Sequence, residues 1–488
     1  MKKIEINPIT RLEGHGKIAI FLDDQGNVDD AFFQTVEFRG YEKFLQGMPM
    51  EEVPRTVSTV CGVCRAVHFM ASTKASDGVF GVEPPPTGKK LRELFFNAHY
   101  VEDHCVILYA LGFPDFVVGP QADPAKRNIV GLIEAVGKET AKRVLSKRGK
   151  AVKIFELLGG RPNHPVAGLP GGWSRSISED ERKQIVKWGE ELVELGQITL
   201  QIFDDIVLKN DTYMELVTGD MYKVEVGYMG SVSPDNTITY YDGVQKVIDA
   251  KGNVVGTFTG KEYLDFISER VQPWSYLKFP YQKKLGDWNG IQEGPDTNLY
   301  SVGPLARFNI IDGMDTPLAQ EHFEQFHATF GGKPVHHILG YHWARAIEML
   351  NAAEKIVEIA SDPSITSRET WTRPTQVTGE GVGIIEAPRG TLIHHYQTDD
   401  KGIVTGANLI VATTHNNGPI NLAVKKAAKH FIKGGEVSEG MLNYVEMAFR
   451  PYDLCLACAT HTVSGTQTAM EINIFQSDGT LYKTLKNI

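Results

Sequence analysis

Cysteine is scarce in this sequence, with only five in 488 residues. So few cysteines exclude the disulfide scaffold of small secreted domains. The chain also lacks a run of about 18 apolar residues, so it predicts no transmembrane helix. Its first residues contain no apolar segment of the kind found in secretory signals, which predicts a cytoplasmic protein. A subunit exported together with a signal-bearing partner would begin in the same way, so that alternative stays open.

Basic residues are also fewer than acidic ones. Lys and Arg number 50 against 60 for Asp and Glu, which gives a formal net charge of -10. This balance, without a basic stripe, argues against binding to nucleic acid. Nucleotide motifs are missing too: no G-x-x-x-x-G-K-[ST] occurs, and no G-x-G-x-x-G follows a strand pattern. The glycine-rich segment 379–383 matches neither motif, so the sequence indicates no site for NAD, flavin or ATP.

Four of the five cysteines form two matched pairs, Cys61-Gly-Val-Cys64 and Cys455-Leu-Ala-Cys458, near opposite ends of the chain. A C-x-x-C turn can direct both of its sulfurs at one atom, and four thiolates make a soft metal site. The entropy of closing the long loop between the pairs grows only slowly with its length. The sequence therefore predicts one metal site built from both ends, with Cys105 as an inert buried thiol.

Three interpretations of the cysteine pairs compete. A structural zinc site is the commonest use of paired C-x-x-C motifs, but zinc ribbons hold both pairs within a few tens of residues. A thioredoxin-like redox pair needs only one motif. The third interpretation is a buried catalytic transition-metal centre. The cysteines by themselves leave these three open.

Hydrophobic periodicity predicts both helices and strands. Period-2 alternation and turn signals predict strands within 17–37, 214–260, 381–411 and 470–485. Helical periodicity covers 57–80, 88–111, 178–208, 318–360, 419–433 and 436–449. The first cysteine pair is predicted near the start of the 57–80 helix. Ser178-x-x-Glu181 is a capping box, and the β-rich segment 214–260 is predicted to form a peripheral lobe.

Seven short motifs decide between the interpretations, because in chain order they resemble the signatures of the large subunit of nickel–iron hydrogenases. They are Arg11-Leu-Glu-Gly-His15, Arg39-Gly40-x-Glu42, Cys61-Gly-Val-Cys64 with His68, Asp103-His104, Gly160-Arg161-x-x-His164-Pro165, Glu386-Ala-Pro-Arg-Gly390 and Asp453-x-Cys455-x-x-Cys458-x-x-His461. The sequence looks most similar to the cytoplasmic F420-non-reducing type, which works with heterodisulfide reductase. One departure is Leu454, where the family usually has proline. Leucine frees the local backbone and adds an N–H, so the loop geometry is open while the ligands remain.

The resemblance implies a fold and a function. The fold is α+β and mainly helical, with a central helical bundle and small peripheral β-sheets. Residues 1–461 would form one hydrogenase large-subunit domain, followed by a C-terminal extension, 462–488, that a maturation endopeptidase removes in many family members. The implied reaction is the reversible heterolytic cleavage of H2. Its electrons would pass to an iron–sulfur small subunit, and from there to heterodisulfide reductase through a further electron-transfer subunit.

A nickel–iron centre held by the four cysteines is the cofactor that the resemblance implies. Cys61 and Cys455 would be terminal thiolates on nickel. Cys64 and Cys458 would bridge nickel and iron, and the iron would carry carbon monoxide and cyanide. Such small ligands require a dry, enclosed pocket.

The resemblance also assigns residues around the centre. Pro388 and Thr413 would line the cyanide pocket. Glu42, His461 and the backbone carbonyl of Leu409 would hold a magnesium ion, whose octahedron water completes.

The resemblance assigns proton transfer to a second set of residues. Cys455 is the expected base, and Glu13 would relay the proton away from it. Arg389 is expected to remain charged next to Asp103 or Asp453, and so to orient rather than to take up a proton.

Three further residues receive roles from the resemblance. His68 would hydrogen-bond a bridging sulfur, while Val63 and Leu111 would narrow a gas channel. Two alternatives to the enzyme stay open at this point: a structural zinc protein that acts as an interaction scaffold, and a hydrogenase-like sensor without catalysis.

Overall fold

The structure, a computed structural model, describes residues 2–460, 470–476 and 480–487. Its helices of seven residues or more are α1 Arg65–Val79, α2 Pro86–Val106, α3 Ile129–Val136, α4 Lys138–Gly159, α5 Glu179–Phe203, α6 Asp211–Thr218, α7 Pro304–Ile310, α8 Pro317–Phe330, α9 Gly340–Ser361, α10 Asn417–Phe431 and α11 Glu439–Met447. Shorter helices span Tyr41–Phe44, Val53–Val57, Phe113–Val117, Tyr263–Phe266, Ala412–His415 and Leu456–Ala459. Two π-helical segments, Ile107–Gly112 and Asp204–Leu208, extend α2 and α5.

The strands form small, separate sheets. They are β1 Lys2–Ile6, β2 Gly16–Leu22, β3 Val28–Thr35, β4 Gly227–Val232, β5 Val244–Ile248, β6 Val254–Phe258, β7 Ile267–Arg270, β8 Phe279–Gln282, β9 Tyr300–Ser301, β10 Glu380–Ala387, β11 Gly390–Thr398, β12 Val404–Ile410, β13 Met470–Phe475 and β14 Leu481–Asn487. The sheets run in the orders β1-β2-β3, β9-β4-β5-β6, β7-β8, β10-β11-β12 and β13-β14. Pairing is antiparallel except between β9 and β4. Two short strands, Gly168–Leu169 and Gly172–Trp173, form one more pair.

Helix α9 lies at the centre of the helical bundle. It packs against α5 and α2, and its residues 340–353 are all buried. Glycines on α5 permit this close approach: a Cβ at Gly196 would lie 2.9 Å from the Cα of Leu350. A glycine inside a helix costs about 1 kcal/mol relative to alanine, and the tight α5–α9 contact offsets that cost. The predicted mainly helical α+β fold with a central bundle is confirmed.

The sheet β10-β11-β12 lies against α1, the helix that follows the first cysteine pair. Gly381 and Gly383 face this helix, where an added Cβ would come within 2.1 Å of the Ala75 carbonyl oxygen and 2.0 Å of the Ala71 oxygen. The glycine-rich segment therefore serves helix–sheet packing, and it fixes β10 and the turn that follows it relative to α1.

The predicted 57–80 helix is wrong in its first part. A short helix ends at Val57, a 3-10 turn follows at Ser58–Val60, and Cys61 is extended with φ -151°. The backbone N–H groups of Val63 and Cys64 point at the Cys61 sulfur rather than at a preceding carbonyl. The sulfur therefore competes with the helical hydrogen bonds, and the regular helix begins only at Arg65.

The other elements lie close to their predicted positions, including the capping box formed by Ser178 and Glu181. In the 214–260 segment, β4 is buried at every position while β6 is buried only at Phe258, and the peripheral lobe stays a prediction. The predicted C-terminal hairpin pairs β13 with β14. His461 lies outside the described residues. Within the described ranges, no helix has both the length and the apolar character needed to cross a bilayer.

Candidate metal centre

The first cysteine pair occupies the turn between the 3-10 segment and α1. The Cys61 sulfur accepts hydrogen bonds from the backbone N–H groups of Val63 and Cys64 at 3.3 and 3.4 Å. Cys64 is the residue that directly precedes α1, and its carbonyl accepts the N–H of His68. All of these bonds join residues within four positions of one another, so the local sequence shapes this half of the site.

The second pair is held by distant parts of the chain. Glu13 lies beside it as a short parallel bridge: the Glu13 N–H donates to the Leu454 carbonyl at 3.1 Å, and the Leu456 N–H donates to the Glu13 carbonyl at 3.0 Å. The N–H of Cys455 donates to the Thr413 hydroxyl at 3.1 Å. These bonds also hold the loop around Leu454, at the position where the family usually has proline.

The two pairs meet inside the protein. The Cys455 sulfur lies 3.1 Å from that of Cys64, 3.4 Å from that of Cys61 and 3.0 Å from that of Cys458. All four sulfurs lie within 4.8 Å of one another and all four residues are buried. The separations far exceed the about 2.05 Å of a disulfide bond, so these are free thiols. In the described part of the chain, no other group of three or more His, Cys, Asp or Glu converges in this way.

Burial and mutual contact shift the pKa values of the thiols in different directions. Burial raises the pKa of Cys455 and of Cys458 well above the usual value. Hydrogen bonds from the thiols of Cys455, Cys458 and Cys64 lower the pKa of Cys61. Burial of four adjacent thiols therefore opposes the build-up of negative charge in the cluster, and a bound cation would favour their deprotonation.

A carboxylate adjoins the sulfur cluster. Oε2 of Glu13 lies 3.2 Å from the Cys455 sulfur and accepts the backbone N–H of Ala457 at the same distance. Partial burial raises the pKa of Glu13 above its ordinary value. The arrangement gives the second cysteine pair a proton acceptor within hydrogen-bond reach.

Arg389 lies between two buried carboxylates. Its Nη1 lies 3.2 Å from Oδ1 of Asp103, and its Nη2 lies 3.1 Å from Oδ1 of Asp453. Burial opposes the positive charge, but the two carboxylates outweigh it and raise the pKa of Arg389 well above its usual value. Burial raises the pKa of Asp453 to about 6. The two carboxylates therefore favour the charged form of the guanidinium.

Sequence comparison identifies the family to which this site belongs. Residues 39–141 and 294–461 match the profile of the nickel-dependent hydrogenases, and residues 3–38 match the HoxL-like profile. The first match covers more than half of the chain. The chain belongs to the nickel-dependent hydrogenase family. The family resemblance predicted from the sequence is thus confirmed.

Individual relatives of this hydrogenase chain support the same conclusion. An F420-non-reducing hydrogenase iron-sulfur subunit of Archaeoglobus profundus is 63% identical over the full length of both chains. NAD-reducing hydrogenase HoxS subunit beta of Cupriavidus necator is 38% identical over 98% of both. Among solved structures, an NAD+-reducing [NiFe]-hydrogenase in the H2-reduced state is 36% identical with a TM-score of 0.88, over 94% of this chain and all of that chain. The Ni-Fe-Se hydrogenase of Desulfomicrobium baculatum is 22% identical with a TM-score of 0.69, over 94% of this chain and all of that chain, and shows the shared fold alone.

The His68 side chain of this hydrogenase is part of a row of buried, hydrogen-bonded residues. Its Nδ1 lies 3.0 Å from Nε2 of His394, and Nδ1 of His394 lies 2.6 Å from the Tyr396 hydroxyl. If Tyr396 donates, His394 donates in turn to Nδ1 of His68, and the proton of His68 is then on Nε2. With Tyr396 as the donor, two residues of strand β11 would select the tautomer of His68.

The residues predicted for cyanide and magnesium lie on neighbouring elements. Pro388 is buried in the turn between β10 and β11, and Thr413 is buried where it binds the Cys455 N–H. Glu42 is fully buried in the Tyr41–Phe44 helix, which packs against β12, the strand that carries Leu409. His461 lies outside the described residues, and the structure places the other two predicted magnesium ligand positions on adjacent elements.

Several residues that support the hydrogenase site were missed from the sequence. Arg307 and Glu348 form a fully buried ion pair that also binds Glu386 and His104. Glu348 lies in a stretch of α9 that is buried on all sides, and its charge between the apolar residues Ile347 and Met349 is the signal that could have indicated a buried ion pair. His394 and Tyr396 carried no comparable signal.

Proposed function

We propose that Cys61, Cys64, Cys455 and Cys458 hold the nickel–iron centre at which this catalytic large subunit of a hydrogenase acts on H2. The observation that carries the proposal is the convergence of four buried sulfurs within 4.8 Å of one another. An all-thiolate donor set fits soft transition metals, and the surrounding fold is that of nickel–iron hydrogenases. When bound, the centre supplies the two-electron redox chemistry of H2 cleavage.

The proton released in heterolytic cleavage has a route through the chain's own residues. The Cys455 sulfur takes this proton, because its neighbour Glu13 can remove it across 3.2 Å. Burial raises the pKa of Glu13, which makes its carboxylate a better proton acceptor near neutral pH than an exposed glutamate. Overall, one H2 yields two protons and two electrons, so a second proton must leave by the same residues, and the two electrons leave the chain separately.

Arg389 acts as a fixed positive charge in this proposal. Its guanidinium is held by Asp103 on one side and by Asp453 on the other. Two buried carboxylates fix both the direction and the charge of the side chain, so it stabilises negative charge that develops next to the sulfurs.

The ligand roles within the centre follow the family pattern. Cys61 and Cys455 would hold the nickel, and Cys64 and Cys458 would be shared between nickel and iron. Carbon monoxide and cyanide would be the remaining ligands of the iron. Supporting this, the sulfurs are enclosed by buried residues, which keeps out water that would compete for the metals.

Five further residues complete the surroundings of the centre. Pro388 and Thr413 line the cyanide pocket, and His68 donates a hydrogen bond to a bridging sulfur. Leu111, together with the half-buried Val63, narrows the path by which gas enters.

A magnesium ion is assigned to Glu42, His461 and the carbonyl of Leu409. Supporting this, the buried helix that carries Glu42 packs against the strand of Leu409. Mg²⁺ prefers oxygen ligands and keeps several waters, so two protein oxygens and one imidazole leave room for water.

Electrons must pass to another polypeptide, because the fifth cysteine, Cys105, is buried alone and no cysteine set remains for an iron–sulfur cluster. We assign that role to an iron–sulfur small subunit, with heterodisulfide reductase and one further electron-transfer subunit beyond it. Relatives named as subunits of F420-non-reducing hydrogenases support a multi-subunit assembly, and we place this assembly in the cytoplasm. A maturation endopeptidase acting after His461 is part of the same proposal.

Metal analysis and infrared spectroscopy of the purified protein test the proposal together. We expect about one nickel and one iron per chain, and infrared bands from iron-bound carbon monoxide and cyanide. Zinc in place of nickel and iron, without such bands, would overturn the proposal in favour of a structural zinc site. Bands without H2-dependent reduction of an artificial acceptor would indicate a sensor.

A further inference from the structure

Arg307 is the hub of a fully buried hydrogen-bond network next to the metal centre. All five of its N–H donors are used. Nε and Nη2 bind the two carboxylate oxygens of Glu348 at 2.6 and 2.7 Å. Nη1 binds Oε2 of Glu386 at 2.9 Å and the carbonyl of Ala387 at 3.0 Å, and Nη2 also binds the carbonyl of Pro388 at 3.2 Å.

Two of these bonds act on the turn that carries Arg389. The pairing of Ala387 with Gly390 closes the β10–β11 hairpin, so Pro388 and Arg389 are its two turn residues. The turn also packs directly on the start of α7, where a Cβ at Gly303 would lie 2.7 Å from the Arg389 carbonyl oxygen. Arg307 therefore holds the backbone before Arg389, and the start of α7 packs against the carbonyl of Arg389 itself.

A second path connects Arg307 to Arg389 through Glu348 and α2. Glu348 also binds Nε2 of His104 at 3.1 Å. The residue before His104 on α2 is Asp103, which pairs with the guanidinium of Arg389. Arg307 thus connects to both members of the Arg389–Asp103 pair, through the turn on one side and through Glu348 and α2 on the other.

Stability alone does not account for this arrangement. Arg307, Glu348 and Glu386 are all fully inaccessible to solvent, and removing charges from water costs several kcal/mol per ion. Well-packed apolar side chains often replace such groups without loss of stability. What an apolar side chain cannot do is bind two adjacent carbonyl oxygens and two carboxylates in fixed directions.

We propose that Arg307 is a positioning residue for the reaction with H2. It fixes the turn so that Arg389 and Pro388 keep their places beside the sulfur cluster. The inference rests on the proposed function, which assigns those two residues to the centre.

The test is Arg307→Lys in the assembled, metal-loaded hydrogenase. Lysine keeps the charge but has a single nitrogen, which cannot reach two carbonyls and two carboxylates together. We expect turnover per bound nickel to fall about tenfold or more, since small misplacements of catalytic groups have large effects on rate. The infrared bands of carbon monoxide and cyanide should shift, because Pro388 and Arg389 move.

Arg92→Lys is the matched control. Arg92 is equally buried and binds Asp77 with both Nη atoms, together with the carbonyls of Leu169 and Gly172. Asp77 lies near the far end of α1 from Cys64. We expect a similar fall in melting temperature with unchanged turnover per nickel and unchanged bands.

The inference would be overturned if Arg307→Lys, like Arg92→Lys, left the turnover per nickel and the infrared bands unchanged. Wild-type protein without any such bands would instead overturn the proposed function. If Arg307→Lys does not fold, the pair Arg307→Met with Glu348→Gln removes both charges of the ion pair, and the same loss of turnover is expected. Failure of both Arg307 variants to fold, with Arg92→Lys folded, would leave Arg307 a purely structural role and overturn the inference.

Discussion

The two cysteine pairs have the same C-x-x-C spacing but are held in place differently. In the first pair, backbone N–H groups two and three residues away bind the Cys61 sulfur. In the second pair, the Cys455 N–H binds Thr413, and the flanking backbone pairs with Glu13. The first half of the site is therefore organised by its own sequence, whereas the second depends on segments that fold against it from elsewhere in the chain.

This difference indicates an order of assembly. A half-site with local hydrogen bonds can form as soon as α1 does, because little loop closure is required. The second half requires the N-terminal segment and the Ala412–His415 helix to be in position. Changes that remove long-range support should therefore impair the second pair selectively, and the following predictions test this comparison from the largest effect to the smallest.

Loss of a sulfur should have the largest effect, and should be equal in both halves. Cys64→Ser and Cys458→Ser each remove one of four converging ligands, and we expect loss of nickel and of H2-dependent activity. Metal analysis and activity with an artificial acceptor measure the result. Cys105→Ser is the control, because Cys105 is buried away from any other cysteine, and it should keep its nickel. Activity retained by only one of the two variants would show that the halves are not equivalent.

Glu13→Gln should have the next largest effect. Glutamine keeps an oxygen that can accept the Ala457 N–H but cannot take up the proton from Cys455. We expect activity to fall by about 10²-fold or more at unchanged nickel content, as for loss of a general base. The control is Glu37→Gln, since that partly exposed carboxylate binds His15 instead. Wild-type activity in Glu13→Gln would exclude Glu13 from the proton route.

Thr413→Val tests the long-range support of the second pair directly. Valine is close in shape but leaves the buried N–H of Cys455 without its acceptor, at a cost of about 1–3 kcal/mol. We expect a lower melting temperature and incomplete nickel loading. Thr73→Val is matched in burial, but Thr73 donates only to the Phe69 carbonyl of its own helix. Equal nickel loading in the two variants would contradict the proposed dependence.

Tyr396→Phe should have the smallest effect, and it probes the first pair. The change removes the hydroxyl that binds His394, and with it the selection of the His68 tautomer. We expect about a twofold loss of activity, with a stability change of about 1 kcal/mol. Infrared spectra should show a small shift if His68 bonds a bridging sulfur. An unchanged spectrum would show that His68 does not hydrogen-bond a sulfur of the cluster.

Much of the architecture could be predicted from local pattern. The capping box at Ser178 marks the start of α5, and alternation predicts the β10–β12 strands, because these signals depend on neighbouring residues. The break before Arg65 was missed because the Cys61 sulfur takes up the N–H groups that a helix would use. Gly381 and Gly383 could not be interpreted either, since their role depends on contact with α1.

The sequence by itself determined the ligand types, the soft-metal character of the site and the family, since these depend on residue identity and spacing. Only the tertiary structure decided which groups meet: Glu13 beside Cys455, Arg389 between Asp103 and Asp453, and Arg307 behind the turn. The physical reason is that these contacts join residues far apart in the chain, 442 positions for Glu13 with Cys455 and 286 for Asp103 with Arg389. Hydrogen bonds over such separations impose no periodicity on the sequence, so they can be found only once the chain has folded.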